Sequence, residues 1–92
     1  MEFTEEQILL RALSRGDEKV LFMRYFPRVK RFISGLLQDD ITAEDFAQDI
    51  LLKLWQKREE MAKIENLNAY LYRTSRNAVY QHLRHILLVN EY

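Results

Sequence analysis

The sequence predicts an all-α domain, a small antiparallel bundle of four to five helices with short connections. Three observations carry that expectation. Apolar residues recur at helical spacing along most of the 92 residues. Nearly half the residues, 48%, are hydrophobic, enough for one modest core. Glycine and proline, two and one, are too scarce for the repeated turns of a β-rich protein. No internal repeat, low-complexity tract or linker interrupts the chain, so residues 1–92 are expected to form a single domain.

The first helix is expected to start at Thr4. Thr4 and Gln7 make a capping-box pattern, and Phe3 with Ile8 fits a hydrophobic staple. Leu9, Ala12 and Leu13 continue the apolar stripe until Gly16 stops it. Asp17 fits as the cap of a second helix, which runs through Val20, Leu21 and Phe22 toward Pro27. Proline removes one helical hydrogen bond and crowds the preceding turn, so a kink or break is expected near Tyr25 and Phe26. Beyond it, Val29, Phe32, Ile33, Leu36 and Leu37 keep helical spacing, with Arg28, Lys30 and Arg31 off the stripe.

Residues 38–41 read as a turn. Thr42 is expected to cap the third helix, with Asp45 completing the box and Ile41 stapled to Phe46. Ala43, Ala47, Ile50, Leu51, Leu54 and Arg58 share one face, while Asp45, Gln48, Asp49, Leu52 and Gln56 occupy the other. Leu52 is an apolar residue on a polar face, a feature of partner surfaces. Residues 59–66 lack sustained periodicity and read mostly as a loop. A last helix begins near Asn66 or Asn68, either of which suits a cap. Leu71, Ser75, Ala78, Val79, His82 and Ile86 form its core face. Arg73, Asn77, Tyr80 and Arg84 line another, with Arg76 on the flank.

Formal net charge is zero, yet the charges are sorted into blocks. Five bases and no acid fall between Lys19 and Gln38, and five acids and no base between Asp39 and Asp49. Three arginines, two histidines and no acid fall between Asn66 and Asn90. Such blocks can present different faces to different partners, although charge alone is accounted for more simply by solvated helix faces. The absence of cysteine excludes disulfides and thiolate metal sites and accords with a reducing compartment. No apolar run approaches membrane-spanning length, and the Met1-Glu2-Phe3-Thr4 start is unlike a secretion signal.

Two constellations invite function. Arginine presents a planar fork that pairs with phosphates and base edges, asparagine reads base edges, and tyrosine stacks on unpaired bases. Arg73, Asn77, Tyr80 and Arg84, flanked by Tyr70 and Arg76, suit a helix lying on nucleic acid. Spacing alone fits a solvated face more simply. The acidic start of the third helix is the second constellation. A capping box accounts for Asp45 but poorly for Gln48 and Asp49, which lie beyond the first turn. A basic protein groove would account for those two together with Leu52.

Catalysis finds little support. His82 and His85, three apart on one helix, are the only histidines, and no carboxylate in that helix completes a metal site. No phosphate loop, nucleophile elbow or H-E-x-x-H run is present. No catalytic residue, metal, cofactor or small-molecule substrate is therefore expected.

The run Ala43-Glu44-Asp45-Phe46-Ala47-Gln48-Asp49-Ile50-Leu51-Leu52-Lys53-Leu54-Trp55 resembles the second conserved region of extracytoplasmic-function sigma factors. The run Asn68-Ala69-Tyr70-Leu71-Tyr72-Arg73-Thr74-Ser75-Arg76-Asn77 resembles the stretch just downstream in that family. Arg15-Gly16-Asp17-Glu18 and Tyr25-Phe26-Pro27-Arg28 fit its N-terminal part. The resemblance implies a region 2 fold that acts by binding. It implies docking on the clamp helices of the RNA polymerase beta-prime subunit through Asp45, Gln48, Asp49 and Leu52. It implies recognition of the minus-ten promoter element by Tyr70, Arg73, Arg76, Asn77, Tyr80 and Arg84, with a flipped base held beside the Ala62–Asn68 loop, at Lys63, Asn66 and Asn68. A cytoplasmic location and an anti-sigma factor partner follow from the same likeness. The family's second, helix-turn-helix domain is expected to lie outside this chain. On this reading the protein strip and the DNA strip sit on separate sides of the body. The alternatives are a helical adaptor that binds only protein through Leu52 and its neighbours, and a metal-dependent enzyme using His82 and His85.

Overall fold

A computed structural model of the chain describes residues 3–90, with side chains through Leu88. Among the described residues run five helices and no strand: α1 (Glu5–Arg15), α2 (Glu18–Leu37), α3 (Asp40–Gln56), the single turn α4 (Arg58–Met61) and α5 (Leu67–Asn90). The all-α expectation holds, at the upper helix count.

The first boundary forms as the sequence anticipates. The Thr4 hydroxyl accepts from the Gln7 N–H at 3.1 Å, and the Gln7 side chain accepts from the Thr4 N–H at 2.9 Å. Gly16 ends α1 at φ 72°, a left-handed conformation that side chains disfavour. The Asp17 carboxylate then accepts from the Val20 N–H and starts α2. Phe3 is 52% exposed, with the Arg11 guanidinium 4.4 Å from its ring centroid, and lines a small surface pocket together with Ile8.

Three boundaries differ from expectation. Helix α2 runs unbroken through Pro27. Proline deprives only the Met23 carbonyl of its donor, and Met23 is 68% exposed, so water can take that donor's place. Helix α3 starts earlier than expected, capped by Asp39 rather than Thr42. The Asp39 carboxylate accepts from the N–H groups of Ile41 and Thr42 at 3.1 and 3.2 Å and from the Thr42 hydroxyl at 2.8 Å. These bonds, the Thr42 hydroxyl first, hold the Asp39 carboxyl below its ordinary range. Thr42 thus donates backward instead of capping with Asp45, and Ile41 is left 78% exposed rather than stapled. Finally, part of the expected loop after α3 is the helical turn α4.

Helices α2 and α3 form the main hairpin, and α5 lies across both, with α1 bracing the far end. Leu21, Tyr25, Val29 and Ile33 of α2 meet Ala43, Ala47, Leu51 and Leu54 of α3 in one core, closed by Leu67, Leu71 and Val79 of α5. The expected core stripes of α1 and α3 are confirmed apart from Arg58, which lies half-buried on α4. Buried Ser75 donates to the Leu71 carbonyl at 2.8 Å. Beyond His82, no described side chain of α5 is buried, and Ile86 is 38% exposed rather than in the core. The exposed residues Leu83 to Leu88 therefore lie outside the packed core. A Cα radius of gyration of 14.3 Å, against about 12 Å for a compact chain this long, reflects that arrangement.

Candidate functional site

The strip on α5 is solvent-facing. Arg73, Arg76, Asn77, Tyr80 and Arg84 are all exposed, and Tyr70 is half-buried. The Arg73 guanidinium stands 5.9 Å from the centroid of the Tyr70 ring. No ion pair among the described residues involves an α5 arginine. The charges stay available because residues 66–90 contain no acid and the three arginines of the strip are exposed.

The loop before α5 is fixed from beneath and open above. Met61, Ala62 and Ile64 pack partly buried against the core, which leaves Lys63, Glu65 and Asn66 exposed. Asn66 takes φ 57°, and its side-chain oxygen accepts from the Ala69 N–H at 3.4 Å. The larger share of the helix start falls to a residue far away in sequence. The Glu6 carboxylate accepts from the Leu67 N–H through one oxygen and from the Asn68 N–H, at 2.7 Å, through the other. Asn68, expected to offer its side chain to DNA, is half-buried in the first turn.

On α3, Asp45, Gln48 and Asp49 are exposed and Leu52 is 47% exposed. Asp49 pairs with Lys53 at 3.1 Å one turn on, both well exposed, a pairing of small energetic weight in water. The strip therefore keeps its acidic character at little cost to a partner. The two strips are not separated as expected. A groove of about 640 Å³ runs between α3 and α5, and Asp49 and Lys53 line one wall while Tyr70, Thr74, Asn77 and Gln81 line the other. Asp49 and Asn77 thus border one cleft, with the arginines and Leu52 diverging outward from it.

Sequence reasoning missed Glu6 and the groove residues Lys53, Thr74 and Gln81. Glu6 carries no distinguishing signal, since an acid in a first helical turn is accounted for by the helix's own end charge. His82 is not a core histidine; it lies half-buried, edge-on to Phe46 with ring centroids 5.2 Å apart. Among the described residues no group of three His, Cys, Asp or Glu is placed to hold a metal ion, and none of the described helices is long and apolar enough to cross a membrane.

The helical body thus carries one acidic-apolar strip on α3 and one arginine-rich strip on α5. The chain belongs to the sigma-70 region 2 family, whose model matches residues 21–86, more than two-thirds of the sequence. No curated protein and no solved structure matches it. The match covers most of α2, all of α3 and α4, and nearly all of α5, and so includes every residue of both strips. Membership carries the general role of a sigma factor, binding RNA polymerase and recognising promoters to begin transcription, in a family that is in general non-enzymatic.

Proposed function

We propose that this chain is the promoter-melting and polymerase-docking domain of a sigma factor of the extracytoplasmic-function type, acting in the cytoplasm and held in check by an anti-sigma factor. Asp45, Gln48, Asp49 and Leu52 dock on the beta-prime clamp helices. The acids face basic side chains there, and Leu52 supplies an apolar contact at the C-terminal end of the strip. The α5 strip takes the minus-ten element. Arg73, Arg76 and Arg84 neutralise phosphates of the non-template strand, and Asn77 and Tyr80 meet its bases.

Melting requires one base to leave the stack, at a cost of a few kcal/mol. The loop at Lys63 and Asn66, with Asn68 and Tyr70 behind it, borders the place where that base is held. Pocket contacts and phosphate pairing offset the unstacking, and no covalent bond changes. The observation that supports this reading most is the exposure of five polar and aromatic residues along α5 with no acidic partner among the described residues.

The test is affinity for a single-stranded oligonucleotide selected from a randomised pool by the wild-type chain. Arg76→Ala combined with Asn77→Ala is expected to weaken binding at low salt about tenfold or more, and to flatten its salt dependence by roughly one phosphate's worth. Equal affinity and equal slope would overturn the assignment of this strip.

A further inference from the structure

We infer that Glu6 is a positioning residue for base capture: α1 serves as a brace whose first turn sets the start of α5 and the loop that borders the base. This inference rests on the reading of that loop given above.

The geometry is specific. The two carboxylate oxygens of Glu6 take separate backbone donors, Leu67 N–H and Asn68 N–H, across 61 and 62 residues of sequence. A helix leaves its first N–H groups without partners, and a carboxylate there is favoured both by hydrogen bonding and by the positive helix end. The α5 start is only weakly capped locally, since the one bond from Asn66 is long at 3.4 Å. Leu67 is fully buried, so its N–H would otherwise lie under the core with little access to water.

The brace is itself held in place. Next to Glu6, the Glu5 carboxylate pairs with Arg28 at 2.9 Å and Arg24 at 3.5 Å, and the Glu5 backbone carbonyl accepts from the buried Tyr25 hydroxyl. Two consecutive acids therefore tie α1 to α2 on one side and to α5 on the other. Everything on the base-capture side follows from where α5 begins. Tyr70 and Arg73 lie one and two turns along, and Asn66 immediately precedes. Among the described residues, no hydrogen bond or ion pair joins Glu6 to the acidic strip of α3. Loss of the carboxylate should then disturb one binding face and spare the other.

The experiment compares Glu6→Ala and Glu6→Gln with wild type in three measurements. These are affinity for the selected oligonucleotide, fluorescence of a 2-aminopurine at each position of that oligonucleotide as a report of unstacking, and affinity for a beta-prime clamp-helix fragment. Glu6→Ala is expected to lower oligonucleotide affinity by about threefold to thirtyfold, the range for losing a helix cap, and to diminish the 2-aminopurine signal. Glu6→Gln keeps one carbonyl acceptor, so it should recover part of both. Clamp-helix affinity should stay unchanged in both variants. Unchanged oligonucleotide affinity and fluorescence in Glu6→Ala would overturn the inference. So would a parallel fall in both affinities, which marks a general structural role. A wild-type chain that selects no oligonucleotide or shows no 2-aminopurine signal sinks the base-capture reading itself, and the inference with it.

Discussion

Helices α3 and α5 face each other across one groove, yet they are set in place by different means. Helix α3 is started by its neighbour in sequence, Asp39, and its buried stripe of Ala43, Ala47, Leu51 and Leu54 packs on the adjoining α2. Helix α5 is started mainly by Glu6, an acid of α1, and its last turns lie outside the packed core. The acidic strip thus sits on a locally built element, and the arginine strip on an element whose origin depends on a distant contact. A hairpin closed by a short turn loses little chain entropy on forming, whereas the α1–α5 contact closes a loop of about sixty residues. The α2–α3 hairpin is therefore built from local contacts, and the start of α5 from a distant one.

The largest expected effect strikes both helices together. Leu51 is fully buried between α2 and α3. Leu51→Ala should cost about 2–5 kcal/mol, a large share of the stability of so small a domain. Chemical denaturation measures it, with both binding activities expected to fall in parallel because the shared platform is damaged. Loss of clamp-helix binding alone, with oligonucleotide binding intact, would show instead that α5 packs independently of the hairpin.

A smaller effect isolates the brace. Burial first, then the neighbouring Glu5 charge and hydrogen bond, push the Tyr25 hydroxyl up to about 12. The folded state therefore keeps the Tyr25 proton more tightly than the unfolded chain does. The resulting contribution is fully present below about pH 10 and is lost as pH rises toward 12. Tyr25→Phe removes the bond to Glu5 and should lower stability by about 1 kcal/mol at neutral pH. Melting curves of the two proteins should converge between about pH 10 and 12. A gap that stays constant over that window would mean that Tyr25 does not titrate as a buried phenol.

What could be read in advance follows the same division. Thr4 with Gln7, Gly16 and Asp17 were legible because each acts within a few residues, and the stripes of α1 and α3 because burial there follows a simple period. Pro27 misled because its cost depends on whether the Met23 carbonyl faces water, and spacing alone does not reveal that. Asp39 and Thr42 were both plausible caps, and the choice turned on which one could collect the free N–H groups. The exposed members of both strips were identified correctly as outward residues, since they fall opposite the apolar stripe. Their convergence on one groove was not legible, because it depends on how α5 is rotated against α3. Glu6 lay beyond any local pattern, paired with backbone groups that leave no trace in side-chain sequence.

The central claim is that α3 carries the protein-docking face and α5 the DNA face, side by side but separable. The most direct measurement is paired binding by Asp49→Arg, whose site is exposed and whose only ion pair among the described residues is a weak one to Lys53. Affinity for the beta-prime clamp helices should fall about tenfold or more, because a basic groove then meets like charge. Affinity for the selected oligonucleotide should not fall, since the new cation borders the cleft beside Asn77. Undiminished clamp-helix binding, or joint loss of both affinities in a fully folded variant, would contradict the account.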